Sequence, residues 1–474
     1  MFPRVALSGC ILIVAGCARQ TSAPVPGPPA PTLLTVSAQP QQTLRGWGIY
    51  PCTIQNDRAN ANDYTLWHRP NAARLIWKEL GISFFRSEIL PGVYDARRDD
   101  GSLNAPYLRD SLERQLRLGA SFGQTRYILS LWSPPAPLKS PPTTLGVDPS
   151  TKRPSALRPD REAALCRFIA RVLLQLRRDG CALPLAVSVQ NEPNYASPLW
   201  NGCAYSPAQW ARVVVLLRRT LDAGGLKTVE IIGPEGGSYK QSVAFVGGAN
   251  APALRNPQLR AALGGFAFHG YTVESKYEPD LGDLRRVALA AHQAGKSVWM
   301  TEWSLPGDRP DPLEHALNTT QRLARETTFV PCDYWSWWQG WYPRHPKGEV
   351  LITGRDDARL HVSKTYHVLR KLWHLAPAGS RVHLVASNDP DVSGFDAKAG
   401  QAVAFQTGAR QTLLFVNPTN ASKSLVVRGL TGRTATPFVT DATRDMKHGS
   451  PVALRAGEGK WTLAPRSIQV VDVR

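Results

Sequence analysis

The sequence predicts an α/β fold: a (β/α)8 TIM barrel followed by an all-β sandwich side domain that the N-terminal strand can join. Three observations predict it. Short apolar runs alternate with amphipathic stretches eight times along the chain, the pattern of parallel strands joined by right-handed crossovers. Polar and aromatic residues fall at the C-terminal ends of those runs, namely Arg86, Trp132, Asn191, Glu192, Glu235, His269, Tyr271, Glu302 and Trp338. That is the end on which such barrels build their sites. After Pro377 the helical periodicity stops, and short alternating segments separated by turn residues take over. A doubly wound open sheet is the alternative, but no glycine-rich phosphate loop follows any strand, and no cofactor is called for.

The elements follow in order. Leu33 to Leu44 is strand material that ends in Arg45-Gly46-Trp47-Gly48-Ile49-Tyr50, with glycines that allow close approach. Asn71 to Leu80 reads as a helix, and Ile82 to Arg86 as a second strand that ends in a charge. Tyr107 to Leu118 carries apolar residues at helical spacing. Arg126 to Leu131 is a third strand, running into Trp132-Ser133-Pro134-Pro135, and Asp160 to Arg178 is a long amphipathic helix. The fourth strand, Leu185 to Val189, stops abruptly at Gln190-Asn191-Glu192-Pro193. Its apolar run, with β-branched Val187 and Val189, is that of a buried parallel strand. Ser206-Pro207 caps a helix to Ala223, which Gly224-Gly225 closes. Val229 to Ile232 is the fifth strand and Phe266 to Phe268 the sixth; Ser242 to Leu263 between them reads as helix with loop. Asp280 to Ala294 is helical, Ser297 to Glu302 is the seventh strand, Pro312 to Thr327 is helical, and Asp333 to Trp338 is an aromatic eighth strand. A helix over Val362 to Leu375 ends the barrel. The side domain reads as strands at Arg381–Ala386, Ala402–Gln406, Thr412–Val416, Ser424–Val427, Trp461–Leu463 and Ser467–Val473. The domain division is 1–17, 18–32, 33–45, 46–376 and 377–474: leader, proline-rich linker, N-terminal strand of the side domain, barrel and sandwich.

The chain has 474 residues, enough for a large core and two folded domains. A hydrophobic share of 43% and a charged share of 20% are those of a globular protein. The formal net charge is +19, but the basic residues are scattered without a dense run, so nucleic acid is not expected as a partner. The charge fits either an acidic partner, such as an anionic polysaccharide or membrane surface, or solvated helix faces rich in arginine, and the second reading is favoured. At the N-terminus Arg4 precedes an apolar stretch, Val5 to Val14, that is too short to span a bilayer. Val14-Ala15-Gly16-Cys17 then resembles the lipobox of bacterial lipoproteins, which implies lipidation of Cys17 and a secreted, membrane-anchored protein of the cell envelope. Thr21 to Pro31 is a proline-rich tether. Five cysteines remain beyond the leader and Cys17, an odd number, so at least one thiol stays free. No CxxC or Cys/His cluster is present, and no metal site is expected.

Two carboxylic acids at strand ends four and seven face one another across a barrel mouth. That is the minimum equipment for cleaving a glycosidic bond: one group protonates the leaving oxygen, and one attacks the anomeric carbon or activates water. The set Gly46-Trp47-Gly48, Leu131-Trp132-Ser133-Pro134-Pro135, Gln190-Asn191-Glu192-Pro193, His269-Gly270-Tyr271, Thr301-Glu302-Trp303 and Val362-Ser363-Lys364 resembles glycoside hydrolase family 30 over nearly all of the mature chain. The resemblance implies a retaining enzyme with Glu192 as acid/base and Glu302 as nucleophile, and Asn191 bonding the sugar 2-hydroxyl. It implies a β-linked glycan as partner (xylan, β-1,6-glucan or β-1,6-galactan), with a glycolipid of the glucosylceramide type or a non-catalytic glycan binder as alternatives. Arg86, Trp132, His269, Tyr271, Trp303 and Trp338 are the candidate substrate-binding residues, with Glu235 a supporting acid. Trp335, Trp337 and Trp341 are divided between packing and subsite walls. Arg344, His345 and Lys347 are a basic loop that an acidic sugar could meet, with a solvated loop the favoured reading. A monomer is expected. Ile49 after the glycines and Pro137 after the Trp132 motif depart from the family pattern.

Overall fold

The computed structural model describes residues 31–54, 65–95, 102–271, 278–305, 311–343, 350–387 and 399–474. Cys10, Cys17, the proline-rich tract up to residue 30, and Arg344, His345 and Lys347 lie outside the described residues. Eight parallel strands form a closed barrel: β1 (Gly46–Tyr50), β2 (Phe84–Ile89), β3 (Tyr127–Leu131), β4 (Ala186–Ser188), β5 (Glu230–Gly236), β6 (Gly265–His269), β7 (Ser297–Glu302) and β8 (Tyr334–Trp338). β8 closes on β1, with Tyr334 opposite Gly46 and Trp338 opposite Tyr50.

Side chains alternate along each strand, and this alternation stacks the lumen in layers. Phe84, Ile128, Ala186, Ile232, Ala267, Trp299 and Tyr334 form an apolar floor. Trp299 and Tyr334 lie face to face at 3.4 Å, and Phe84 meets both edge-on. Two residues further along the strands stand Gly48, Arg86, Ser130, Ser188, His269, Thr301 and Ser336, a polar layer directly above the floor. Gly48 has a steric reason to be glycine, because a Cβ there would stand 2.3 Å from Phe84 Cζ. Two residues further again come Tyr50, Glu88, Trp132 and Trp338 at the mouth. Outward-facing residues of the same strands, among them Phe85, Leu129, Val187, Met300, Trp335 and Trp337, join the main core beneath the helices.

Four readings change. Gly46–Tyr50 is a barrel strand in its own right, and Thr32–Val36 is separate from it. β2 runs on past Arg86 to Ile89, because Arg86 is an inward-facing residue rather than a strand end. The span Ser242 to Leu263 belongs to three short helices, Tyr239–Phe245, Pro252–Arg255 and Pro257–Ala262. The side domain has an unanticipated strand, Thr434–Thr440, which holds Pro437 and pairs with Ser467–Val473. Proline cannot donate to a ladder, so the residue hides the strand from a reading of the sequence.

The side domain is two sheets. Thr32–Val36 lies in the smaller one, parallel to Lys423–Arg428 and antiparallel to Val385–Ser387. Gln42–Thr43 edges the larger sheet beside Arg381–His383. The larger sheet packs on the barrel without a break in the core, since Val403, Phe405, Leu414 and Val470 share one cluster with Trp47 and Trp373. Trp47 stacks on Trp373 at 5.7 Å and donates from Nε1 to the carbonyl of Ala376 at 2.6 Å. Among the described residues, Cys52, Cys166, Cys181, Cys203 and Cys332 form no disulfide. No helix of the described residues is long and apolar enough to cross a membrane.

Candidate active site

The barrel mouth opens into a cleft of about 620 Å³, and its walls include Glu192, Glu302, Asn191, Trp132, Trp338 and Tyr271. Each side chain is put there by its strand. Beyond β4 the chain stays tied to its neighbours, with Asn191 N bonded to Leu131 O at 2.7 Å and Glu192 N to Glu235 O at 3.0 Å. Glu192 itself sits at φ 50, in the left-handed region. A non-glycine residue there stores about 1–3 kcal/mol of strain, a cost that recurs at functional sites. Gly237 leaves room for it, since a Cβ at that position would be 2.8 Å from Glu192 Oε1.

Arg86 is the hub. Fully buried, it directs its donors across the barrel to groups on β3, β5 and β7 and just beyond β4. Nη1 donates to Glu302 Oε2 at 2.5 Å, Nη2 to Asn191 Oδ1 at 2.7 Å, and Nε to Ser130 Oγ at 3.1 Å. Nη2 also lies 3.2 Å from Glu235 Oε1, and the guanidinium carbon stands 4.6 Å from the Trp132 ring. Burial pushes the Glu235 carboxyl up, but the Arg86 charge above all, with help from His269, Ser188 and Thr301 nearby, outweighs it and holds the group below the usual carboxylate range. Glu235 thus serves as the buried counter-ion of Arg86, with its own backbone at φ 57.

Glu302 is held from two sides: Tyr271 donates to its Oε1 at 3.1 Å while Arg86 holds Oε2. His269, fully buried beneath the cleft, spans the acid pair. Its Nδ1 is 3.3 Å from Glu192 Oε1, and its Nε2 is 3.9 Å from Glu302 Oε2. One ligand atom from each of Glu192, His269 and Glu302 lies within 4.8 Å of the others. By spacing this trio could also hold a divalent cation, although the Arg86 charge beside Glu302 opposes one. Trp338, Trp132 and Tyr50 make an aromatic wall, with Tyr50 stacked on Trp338 at 4.2 Å and Trp132 at 6.0 Å from Trp338.

Trp303 is not brought to the cleft. It is buried against Trp337 at 5.4 Å and under the Arg322 guanidinium at 4.8 Å. Trp335, Trp337 and Trp341 are fully buried packing residues; Trp335 donates to Glu326 Oε2 at 2.7 Å. Conversely, the sequence reading passed over Tyr50, Glu88, Leu199, Trp200 and Tyr342, all of which line the cleft. The signal for Glu88 was present, since it follows Arg86 by two on a strand and so shares its face. Glu88 accepts from the Tyr50 hydroxyl at 2.7 Å, and burial pushes its carboxyl up to about 7.

Comparison with solved structures gives the same architecture. A glycoside hydrolase family 30 subfamily 8 xylanase from Clostridium acetobutylicum superposes with a TM-score of 0.70 at 20% identity, covering 93% of this chain and 99% of that one. The catalytic domain of a family 30 xylanase C from Talaromyces cellulolyticus gives 0.72 at 14% identity, with 93% and 100% covered. An endo-β-1,6-glucanase, BT3312, gives 0.65 at 15%, with 94% of each chain covered. At these identities the likeness is one of fold. No family profile and no curated protein sequence matches the chain.

Proposed function

We propose that this chain is a retaining β-glycosidase of the family 30 type that acts on a polysaccharide, with Glu192 as acid/base and Glu302 as nucleophile. The observation that carries the reading is the pairing of the two carboxylates. Contributed by β7 and the end of β4, they offer oxygens within 4.8 Å of one another at the mouth of a cleft. Retaining enzymes hold their carboxyl groups about 5–5.5 Å apart, whereas inverting enzymes need about 6.5–9.5 Å to seat a water between them. The spacing supports direct attack.

In the first step a Glu302 oxygen bonds to the anomeric carbon as the bond to the leaving oxygen breaks. Glu192 delivers its proton to that oxygen. In the second step Glu192 takes a proton from water, the water oxygen bonds to the anomeric carbon, and the glycosyl ester to Glu302 breaks. Arg86 and Tyr271 fix the attacking group by holding one oxygen each. Because Arg86 occupies Asn191 Oδ1, the amide presents Nδ2 as a donor to a sugar hydroxyl, the arrangement expected for the 2-hydroxyl. The aromatic wall of Trp132, Trp338 and Tyr50 offers ring faces to the apolar face of a pyranose. The lipid anchor at Cys17 belongs to the same reading, as a means of keeping glycan breakdown at the cell envelope.

Incubation with a panel of β-linked glycans, xylan, β-1,6-glucan and β-1,6-galactan among them, tests the proposal. Wild-type protein should release sugars from at least one, and Glu302→Gln and Glu192→Gln should each lower kcat by about 10³-fold or more. Undiminished turnover in either variant would refute the assignment, and a protein that binds glycans without cleaving any would be the non-catalytic binder.

A further inference from the structure

The large apolar side chains exposed among the described residues are Tyr107, Tyr195, Leu199, Trp200 and Leu289. Three of them crowd into the stretch Tyr195–Trp200, on the loop that leaves β4 immediately after Glu192. Leu199 is 79% exposed, Tyr195 46% and Trp200 43%. Leu199 and Trp200 also line the cleft, with Leu145 and Asn201 beside them. The Tyr195 ring backs Trp200, centroids 5.8 Å apart and planes 30° apart.

This exposure does not come from a loose loop. Val147 N bonds to Ser197 O at 3.0 Å, Gly146 N to Trp200 O at 3.2 Å and Gly202 N to Thr144 O at 3.1 Å, which stitches the loop to the one after β3. The buried Lys139 ammonium locks the seam, donating to Gly202 O at 2.6 Å, Leu145 O at 3.0 Å and Ser133 Oγ at 2.9 Å. The two loops pass so closely that a Cβ on Gly146 would be 2.5 Å from Ser197 N. A pinned backbone that presents a contiguous apolar patch to solvent is the signature of a binding surface.

We infer that Leu199 and Trp200, backed by Tyr195, form a subsite for the sugar on the leaving-group side of the scissile bond, which equips the protein to cleave within a glycan chain. The inference rests on the proposed role of Glu192. The group that protonates the leaving oxygen stands on the leaving-group side, and the patch belongs to the loop that begins at that group. The chemistry fits a pyranose better than an alkyl chain, because the Trp200 ring, backed by Tyr195, lines the cleft together with Asn201, pairing a stacking surface with a hydrogen-bonding group.

Two substrates of one glycone separate the possibilities. The first is an oligosaccharide of the cleaved glycan with at least two sugars beyond the scissile bond. The second is the β-glycosyl fluoride, whose leaving group reaches no further subsite. In Trp200→Ala, the ratio of kcat/KM on the oligosaccharide to that on the fluoride should fall about tenfold to a hundredfold below wild type. An unchanged ratio overturns the inference. So does an equal fall on an alkyl β-glycoside, which would make the patch a reader of apolar chains. A wild-type protein inert towards every glycan and fluoride overturns the hydrolase reading itself, whereas an active wild type with an unchanged ratio in the variant overturns only the subsite.

Discussion

Arg86 carries a positive charge at the centre of the barrel, and its surroundings are built to hold it. Glu235 and Glu302 stand on one side, Ser130 and Asn191 accept from it, and the Trp132 ring lies against it. A buried ion contributes little net stability, but deleting one partner leaves the others uncompensated at a cost of about 3–5 kcal/mol. Glu88, on the same face of the same strand, is the opposite case. It is almost fully buried, its carboxyl is pushed up to about 7 by loss of solvent, and the bond from Tyr50 only partly opposes that rise. The unfolded chain would ionise the same group near 4.5. Between those values the folded protein keeps a proton that the unfolded chain has lost, so stability falls as pH rises from about 4.5 to about 7. In full, that shift is worth up to about 3 kcal/mol. Thermal unfolding followed from pH 4.5 to 8 should show this decline in the wild type and a flatter curve in Glu88→Gln. Parallel curves for the two proteins would remove the carboxyl from the account.

At the scale of the element, the two-residue period of the strands decides what faces the cleft. β2 places Phe84 in the floor, Arg86 above it and Glu88 at the mouth. Across from Phe84, β1 must present no side chain at all. Gly48→Ala would drive a methyl group to within 2.3 Å of Phe84 Cζ, and Phe84 cannot retreat because Trp299 and Tyr334 flank it. Overpacking of this kind costs about 1–3 kcal/mol. Urea unfolding should therefore show a lowered midpoint with an unchanged slope, and a wild-type midpoint would mean that the floor is softer than its geometry implies. The same period explains what could be read in advance. The apolar runs and their polar ends mark barrel strands β2 to β8, because buried parallel strands are nearly continuous in hydrophobicity, whereas the glycines of β1 make it read as the end of the segment before it. Glu88 was lost because a charge after an apolar run reads as the end of a strand, when here it is the next inward position. Trp303, a candidate through the Thr301-Glu302-Trp303 motif, follows Glu302 directly; adjacent residues in extended chain point to opposite sides, and Trp303 packs away from the mouth. Leu199 and Trp200 escaped notice because a loop has no period from which to infer a face.

At the scale of the whole molecule, the fold's task is to bring together groups that are far apart in the chain. Parallel order around a closed barrel sets the ends of β4 and β7 on one rim, and the alternating sequence of strands and helices made that arrangement legible before any coordinate. The contribution of the first segment to the side domain was legible only in outline, because the register of Thr32–Val36 on Lys423–Arg428 is a long-range pairing that no local pattern records. The sandwich shares its core with the barrel through Trp47, Trp373 and Phe405, which buttresses β1 beneath the aromatic wall. Closure of the barrel leaves Glu192 and Glu302 lining one cleft, where the proposed mechanism puts the sugar. An aryl 2-deoxy-2-fluoro-β-glycoside of the sugar that the protein cleaves tests that claim most directly. Mass spectrometry of the digested protein should find the fluorosugar attached to the peptide that holds Glu302, and attached through Glu302 itself. A label on any other residue, or unlabelled protein that releases a product of inverted anomeric configuration, would contradict it.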